Sequence, residues 1–307
     1  MHPFRFGVTA GWVRSGEGWL ALARRAEELG YGVLLVPDHL TGQLSPVPAL
    51  AAAAAVTTRL RIGSYVFAND FRHPLLLARE AATLDVLSGG RFEFGIGAGW
   101  RTSDYSQLGV AYDRAGRRID RMEEAVGLIS RLLGGETVTH EGPTYRMTRA
   151  RIGPVPVQRP RPPIHIGGGG PRLLRIAARE ADIVGFIPQF DEHGRPKLSQ
   201  AGEGALAEKV ALVREAAGDR FDRLELNLFL ALAGMVGSGT GPLSSAVSAG
   251  LAGAAGVIRS PYVLHGTRSR LRDILERRRE RFGISYYSIP QDAMESMAPL
   301  VEGLAGR

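Results

Sequence analysis

Residues 91–100 read Arg-Phe-Glu-Phe-Gly-Ile-Gly-Ala-Gly-Trp. In residues 92–96 large apolar side chains alternate with glutamate and glycine, and this period of two predicts a β-strand. The strand ends in Gly97-Ala98-Gly99, where no large side chain covers the backbone. This ending has two interpretations. Either a flat or bulky ligand lies directly on the chain, or a tight turn needs glycine for its backbone dihedral angles.

Short apolar segments of the same kind recur on both sides of this stretch and alternate with helical patterns. The eight predicted strands cover residues 4–9, 32–36, 61–67, 91–97, 163–166, 182–187, 224–232 and 284–289. Helical spacing is found at 15–29, 47–56, 74–87, 113–133, 171–181, up to 218, after Pro242 and at 268–282. Alternating elements require parallel strands that are joined by crossover helices.

Eight such units predict an α/β fold of the (β/α)₈ TIM-barrel type rather than an open doubly wound sheet. No shift in composition marks a boundary, so we expect residues 1–307 to form a single domain. Four excursions, at 101–112, 136–162, 189–203 and 235–250, are predicted as loop insertions at the C-terminal face, where such barrels place their active sites. The second of them has the pattern of a hairpin.

The composition is that of a globular protein, with 44% hydrophobic and 22% charged residues. No apolar run reaches membrane-spanning length, and the first residues lead directly into a strand pattern without a signal peptide. These observations predict a cytoplasmic protein without a membrane partner. The chain has no cysteine, which excludes disulfides and thiolate chemistry.

Basic residues exceed acidic ones and give a net charge of +7, and all but two of them are arginine. The arginines are scattered along helical segments, often beside glutamate, and no nucleic-acid-binding motif is present. The seven histidines lack the HxxxH or HxH spacing of a metal site, and no GxSxG motif is present. We therefore expect neither a nucleic-acid partner nor a bound metal.

Polar residues follow two of the predicted strands. Asp38-His39 closes the second strand, and a histidine at a barrel mouth can exchange a proton or hydrogen-bond a cofactor. The alternative is an Asp-His pair that fixes a loop. Asn69 follows the third strand, where it either reaches a ligand or forms a polar turn before the helix that starts at Pro74.

A run of glycines, 167–170, separates the fifth strand from a helix that begins at Pro171. Free backbone N–H groups then meet a helix N-terminus, which is a site for an anion such as phosphate. Arg172 stands beside it. Neither GxGxxG nor GK[ST] spacing is present, so a monophosphate on a large flat ligand fits better than a pyrophosphate. The alternative is a flexible loop.

In this order, the eight strands and their flanking motifs resemble the bacterial-luciferase-like superfamily. The motifs are Pro37-Asp38-His39, Phe71-Arg72-His73-Pro74, Leu87-Ser88-Gly89-Gly90-Arg91, Gly97-Ala98-Gly99-Trp100 and Gly167–Gly170. The match covers about Phe4 to Ile289. Within the superfamily the chain is most similar to oxidoreductases that use the deazaflavin coenzyme F420 rather than FMN.

The resemblance implies a cofactor ring at the barrel mouth over the third and fourth strands, propped by a non-proline cis peptide at Ser64-Tyr65. Asp38 and His39 match the cofactor-binding and catalytic pair, with His39 as proton donor or ring-orienting group. Further matches to cofactor-contacting positions are Phe67, Ala98, Gly99 and Ser103, and the phosphate-binding glycines are Gly168, Gly169 and Gly170.

One residue departs from the pattern of the family. The F420-dependent sugar-phosphate dehydrogenases carry a catalytic glutamate at the position of Trp100. Tryptophan supplies no proton acceptor, which argues against sugar-phosphate oxidation. It indicates instead an apolar substrate pocket, or a reaction that needs only one proton donor.

The resemblance thus implies an oxidoreductase, acting as a homodimer, that moves a hydride between F420 and a small organic substrate. An FMN-dependent monooxygenase that uses reduced flavin and oxygen is the alternative enzyme. A flavin- or deazaflavin-binding barrel without turnover is the alternative of another class.

Overall fold

A computed structural model describes residues 1–189, 197–235 and 260–307. The small-residue helix that was predicted after Pro242 lies outside these residues, as do most of the 235–250 excursion and part of the 189–203 excursion.

The described strands are β1 (Arg5–Thr9), β2 (Val33–Val36), β3 (Arg61–Ser64), β4 (Phe67–Ala68), β5 (Phe92–Gly97), β6 (Val138–Glu141), β7 (Arg146–Ala150), β8 (Ile164–Gly168), β9 (Ile183–Phe186), β10 (Glu225–Phe229), β11 (Leu232–Met235), β12 (Val263–Gly266) and β13 (Ile284–Pro290). The described helices are α1 (Gly16–Glu28), α2 (Pro46–Val56), α3 (Pro74–Leu87), α4 (Thr102–Leu108), α5 (Ala115–Leu133), α6 (Pro171–Glu180), α7 (Glu203–Ala217), α8 (Arg268–Phe282) and α9 (Met294–Leu304).

The main sheet has the strand order β3-β2-β1-β13-β10-β9-β8-β5-β4, and β3 also pairs with β5. The strand pairs whose register is known in this sheet are parallel. Since β3 and β4 are two parts of one interrupted strand, the fold is a (β/α)₈ TIM barrel, as the sequence predicts. Crossover helices explain why strands such as β2 are buried along their whole length.

The chain divides into two compact units. That residues 1–307 form a single domain stays a prediction. The first unit comprises Met1–Ala10, Arg24–Leu35 and Gly167–Arg307. In it β1 pairs with β13, with Phe6 opposite Tyr287, and β10 pairs with both β13 and β9. Sequence patterns missed three of its described strands and helices, namely β11, β12 and α9.

The second unit comprises Gly11–Ala23 and Val36–Ile166. Here β5 is the central strand, and it pairs with β3, β4 and β8. Every residue of β5 is buried, including Glu93 at 1% exposure. The 136–162 excursion contains the antiparallel hairpin β6–β7, as predicted. The 101–112 excursion contains the short helix α4, which the sequence pattern did not reveal.

Candidate active site

His39 follows β2 in the second unit and is paired with a carboxylate. Its Nδ1 lies 2.8 Å from Oδ2 of Asp104. The Asp104 side chain is only 2% exposed, whereas that of His39 is 19% exposed. Asp104 was not predicted as a site residue. It stands on α4, far from His39 in the sequence, and no motif or period singles it out.

Trp100 lies beside the same histidine. The two rings meet edge to face, with 5.6 Å between their centroids, and Trp100 is 41% exposed. The Tyr112 hydroxyl donates a hydrogen bond of 2.9 Å to the Trp100 carbonyl oxygen and thereby holds the backbone. A large apolar surface is therefore presented to solvent next to His39.

Asp38 is buried and directs its carboxylate at the protein rather than at His39. It accepts a hydrogen bond of 3.1 Å from the Ala68 backbone N–H and is bound at both oxygens by the Arg72 guanidinium. A bidentate arginine pair of this kind fixes geometry. Asp38 therefore anchors β4 and the turn after it. The predicted contact of Asp38 with a cofactor stays a prediction.

The cis peptide predicted at Ser64-Tyr65 is wrong by one residue, because the cis bond joins Tyr65 and Val66. Ser64 is still held by β5, since its hydroxyl donates to the Gly95 carbonyl and accepts from the Gly95 N–H. The Tyr65 N–H donates to the Val36 carbonyl at 2.8 Å. The hydrogen bonds of Ser64 and Tyr65 thus lie just before the cis peptide, at the interruption between β3 and β4.

The glycines of β5 and the turn after it are required by the protein's own packing. A Cβ at Gly97 would lie 2.7 Å from the Val66 side chain, and one at Gly99 would lie 2.1 Å from the Tyr105 hydroxyl oxygen. Gly99 also has a φ of +73°. Gly99 therefore needs glycine for its backbone dihedral angle, and the contact of a ligand with this backbone stays a prediction. The Cβ positions of Gly97 and Gly99 are filled by protein and are not open to a ligand.

The other residues that are predicted to contact the cofactor ring differ in their exposure to solvent. Phe67 is fully buried, Ala98 is 8% exposed, and Ser103 is exposed on α4. Tyr65 is half-buried and its ring lies 5.3 Å from that of His165. A contact of a ligand with Phe67 would therefore have to use its backbone.

A partly buried ion-pair network holds the segment that carries Asp104 and Trp100. Asp70, 3% exposed, accepts hydrogen bonds from Arg121 and from the Tyr105 hydroxyl, the latter at 3.0 Å. Arg121 also pairs with Asp113. Burial, reinforced by the charge of Asp70, raises the pKa of Tyr105 well above its usual range, so the hydroxyl keeps its proton.

In the first unit, the predicted phosphate glycines form the turn between β8 and α6. A Cβ at Gly168 would lie 2.5 Å from Leu173, and one at Gly169 would lie 2.8–3.0 Å from backbone atoms of residues 187–189. A Cβ at Gly170 would meet no described atom within 4 Å. Gly170 is the N-cap of α6 and, as a glycine, has no side chain with which to cap this end of the helix. The start of α6 therefore has a glycine N-cap with no described atom at its Cβ position, which is compatible with an anion at this helix N-terminus.

Among the described residues, no cluster of His, Asp and Glu has the arrangement of a metal site. None of the helices in this part of the chain is both long and apolar enough to cross a membrane.

A comparison with protein families identifies the chain. The model of a family described as luciferase-like monooxygenase matches residues 4–222. The chain belongs to this luciferase-like family. Curated proteins that are similar to the chain include one from Microbacterium testaceum named F420-dependent glucose-6-phosphate dehydrogenase, which is 37% identical over 194 residues. A protein of the same name from Nakamurella multipartita is 38% identical over 194 residues.

These alignments cover 60% of this chain and 56% of each relative, so the chain spans about half the length of the curated relatives it matches. Solved structures match over nearly the whole chain. The coenzyme F420 dependent tetrahydromethanopterin reductase from Methanopyrus kandleri aligns over 98% of this chain and 99% of its own, with a TM-score of 0.78 and 18% identity. A monooxygenase from Streptomyces bottropensis aligns over 97% and 96%, with a TM-score of 0.75 and 25% identity. The first of these similarities shows the luciferase-like fold.

Proposed function

We propose that this protein is an F420-dependent oxidoreductase that transfers a hydride between the deazaflavin and a small organic substrate. The observation that carries the proposal is the state of His39 at the C-terminal end of β2. Its Nδ1 is bound by Asp104, while no described residue hydrogen-bonds its Nε2. A histidine with one bound and one available nitrogen can hold or give a proton at a defined point.

The glycine turn of the first unit supports a cofactor that carries a phosphate. A helix N-terminus with a glycine N-cap and no described atom at the Gly170 Cβ position fits a phosphate monoester, because N–H groups at such an end can approach the oxygens closely. The residues proposed to hold the phosphate are Gly168, Gly169 and Gly170. When bound, the deazaflavin supplies the hydride-carrying C5 position.

The second unit supplies the residues proposed to hold the ring of the cofactor. They are Asp38, His39, Ser64, Tyr65, Phe67, Ala98, Gly99 and Ser103. Asp38 would act through the backbone that it anchors at Ala68, whereas His39 would be the catalytic residue and present Nε2 to the reacting groups.

Trp100 supports an apolar substrate. It is 41% exposed beside His39, and Leu40, the residue after His39, is 40% exposed. Oxidation of a sugar phosphate is expected to need a carboxylate at this position, whereas an indole has one N–H donor and no basic acceptor. We therefore propose an apolar substrate, despite the sugar-phosphate activity in the names of the relatives.

The second candidate is an FMN-dependent monooxygenase. The observation in its favour is the 25% identity, over 97% of the chain, to a solved monooxygenase. A binding barrel without turnover is the candidate from another class. The proposal also includes a single 1–307 domain, a homodimer and a cytoplasmic location.

A binding titration of the purified protein with coenzyme F420 and with FMN separates the candidates. Tighter binding of F420 by tenfold or more, about 1.4 kcal/mol, is the expected result. Loaded protein is then mixed with candidate substrates with and without oxygen. Turnover without oxygen supports the oxidoreductase, turnover only with oxygen supports the monooxygenase, and binding without turnover supports the third candidate.

A further inference from the structure

We propose that Asp104 is the positioning residue of His39. This inference rests on the proposed function for its catalytic consequence, but the arrangement itself involves only residues of the second unit. The carboxylate would hold a proton on Nδ1 of His39 and so fix both the ring plane and the nitrogen that remains available.

The contact has the geometry of an orienting pair. Oδ2 of Asp104 lies 2.8 Å from Nδ1, and an ionised carboxylate can only accept hydrogen bonds. With an ionised Asp104, as the proposal requires, Nδ1 carries the hydrogen and Nε2 of the neutral ring is left with a lone pair. If the ring takes up a second proton, the same carboxylate stabilises the charge without moving. A carboxylate that holds an imidazole in one tautomer is a general device for directing the second nitrogen.

Asp104 has few other interactions that would explain its burial. It is 2% exposed, and its Oδ1 has no hydrogen-bond partner among the described residues. Burying a carboxylate is unfavourable unless it is paired, and the partner found for Asp104 is His39. A purely structural aspartate would be expected to use both oxygens, as Asp38 does with Arg72 and Ala68.

The next residue on α4 keeps Asp104 in place. Tyr105 is 1% exposed, its hydroxyl bonds to Asp70 at 3.0 Å, and it packs on the bare backbone of Gly99. Because α4 cannot shift without breaking these contacts, Asp104 presents its carboxylate from a fixed support. An orienting residue needs such a support to hold a reacting group within a fraction of an ångström.

The test begins with wild-type protein without cofactor, labelled with ¹⁵N at histidine, at pH 8. His39 is assigned from the signals lost in His39→Gln. The expected spectrum shows hydrogen on Nδ1 and an unprotonated Nε2. In Asp104→Ala, both signals should move to the averaged values of a ring that exchanges between tautomers. Gln107→Ala, an exposed residue on the same helix, is the control and should leave the His39 signals unchanged.

Kinetics provide the second measurement. Asp104→Ala and Asp104→Asn should lower kcat about 10- to 100-fold, while the Kd for F420 changes less than about threefold. Hydrogen on Nε2 in the wild type overturns the proposal without any variant, which covers the case that Asp104 variants do not fold. Unchanged His39 signals in Asp104→Ala, or equal losses of kcat and F420 affinity, overturn it as well. If the protein neither binds F420 nor turns over, the proposed function fails, and the spectra still decide the role of Asp104.

Discussion

The ammonium group of Lys209 lies 3.1 Å from the hydroxyl oxygen of Tyr262, and both residues are buried in the first unit. Lys209 also donates to the backbone carbonyls of Ile187, at 3.0 Å, and Gln200, at 3.5 Å. All of these described acceptors are neutral. Burial therefore lowers the pKa of Lys209 to about 8, and burial raises that of Tyr262 well above its usual range.

The lowered pKa of Lys209 predicts that the free energy of unfolding depends on pH. An unfolded lysine titrates near pH 10.4, so between about pH 8 and 10.4 the unfolded state binds more protons than the folded state. The contribution of Lys209 to the free energy of unfolding then rises with pH in this window, by at most about 1.4 kcal/mol per pH unit. Below about pH 8 this contribution does not change with pH. Urea unfolding at pH 7, 8, 9 and 10 measures it.

The comparison uses Lys209→Met and, as control, Lys197→Met at the exposed second lysine of the chain. The stability of Lys209→Met relative to wild type should fall as pH increases through the window, because only wild type gains stability there. Lys197→Met should follow wild type at every pH. Parallel curves for all three proteins would show that Lys209 titrates normally.

Substitution of His39 by alanine tests the catalytic assignment. If His39 gives or holds a proton during hydride transfer, kcat should fall about 10²–10⁴-fold while the Kd for F420 changes much less. Equal losses of kcat and affinity would indicate a ring-orienting role. A lower melting temperature with a normal rate per folded molecule would indicate a loop histidine. His140→Ala, on the β6–β7 hairpin, is the matched control and should keep its kcat.

Valine substitutions at the two adjacent glycines of the proposed phosphate site are predicted to have different effects. Gly170→Val should fold normally, since a Cβ there meets no described atom, yet the Kd for F420 should rise about tenfold or more as the side chain blocks the N–H groups. Gly169→Val should lower stability as well, because its Cβ would meet backbone atoms of residues 187–189. Calorimetric titration and melting curves distinguish the two effects. Normal affinity in a folded Gly170→Val protein would place the phosphate elsewhere.

The tryptophan at position 100 leads us to predict that the protein does not oxidise glucose 6-phosphate. The wild type should not reduce F420 with glucose 6-phosphate, because an indole without a basic oxygen stands where the resemblance implies the catalytic carboxylate of that reaction. Trp100→Glu should react at least about tenfold faster, whereas Trp100→Gln, of similar size but without a basic oxygen, should not. The absorbance of F420 under anaerobic conditions gives the rates. Turnover by wild type that equals or exceeds that of Trp100→Glu would contradict the prediction.

Local patterns determined the parts of the fold that depend on neighbours in the sequence. The alternation at 92–96 predicts β5, and the apolar run before Asp38 predicts β2, because side-chain burial follows the period of each element. The same patterns place His39 at a strand end and Gly170 before a helix. The third strand was predicted as continuous over 61–67, but it is interrupted between Ser64 and Phe67, and the cis peptide that the resemblance implied at Ser64-Tyr65 joins Tyr65 and Val66.

The tertiary structure alone decided which side chains meet. His39 and Asp104 are 65 residues apart in the chain, and the sequence around each residue does not indicate that the other is its partner. The glycines at 97 and 99 are explained by Val66 and Tyr105, which pack against them from other segments. Burial of Lys209 against Tyr262 likewise joins distant segments. Sequence periodicity reports the face on which a residue lies, whereas its partner is set by how the elements pack, since contact energies act through space and not along the chain.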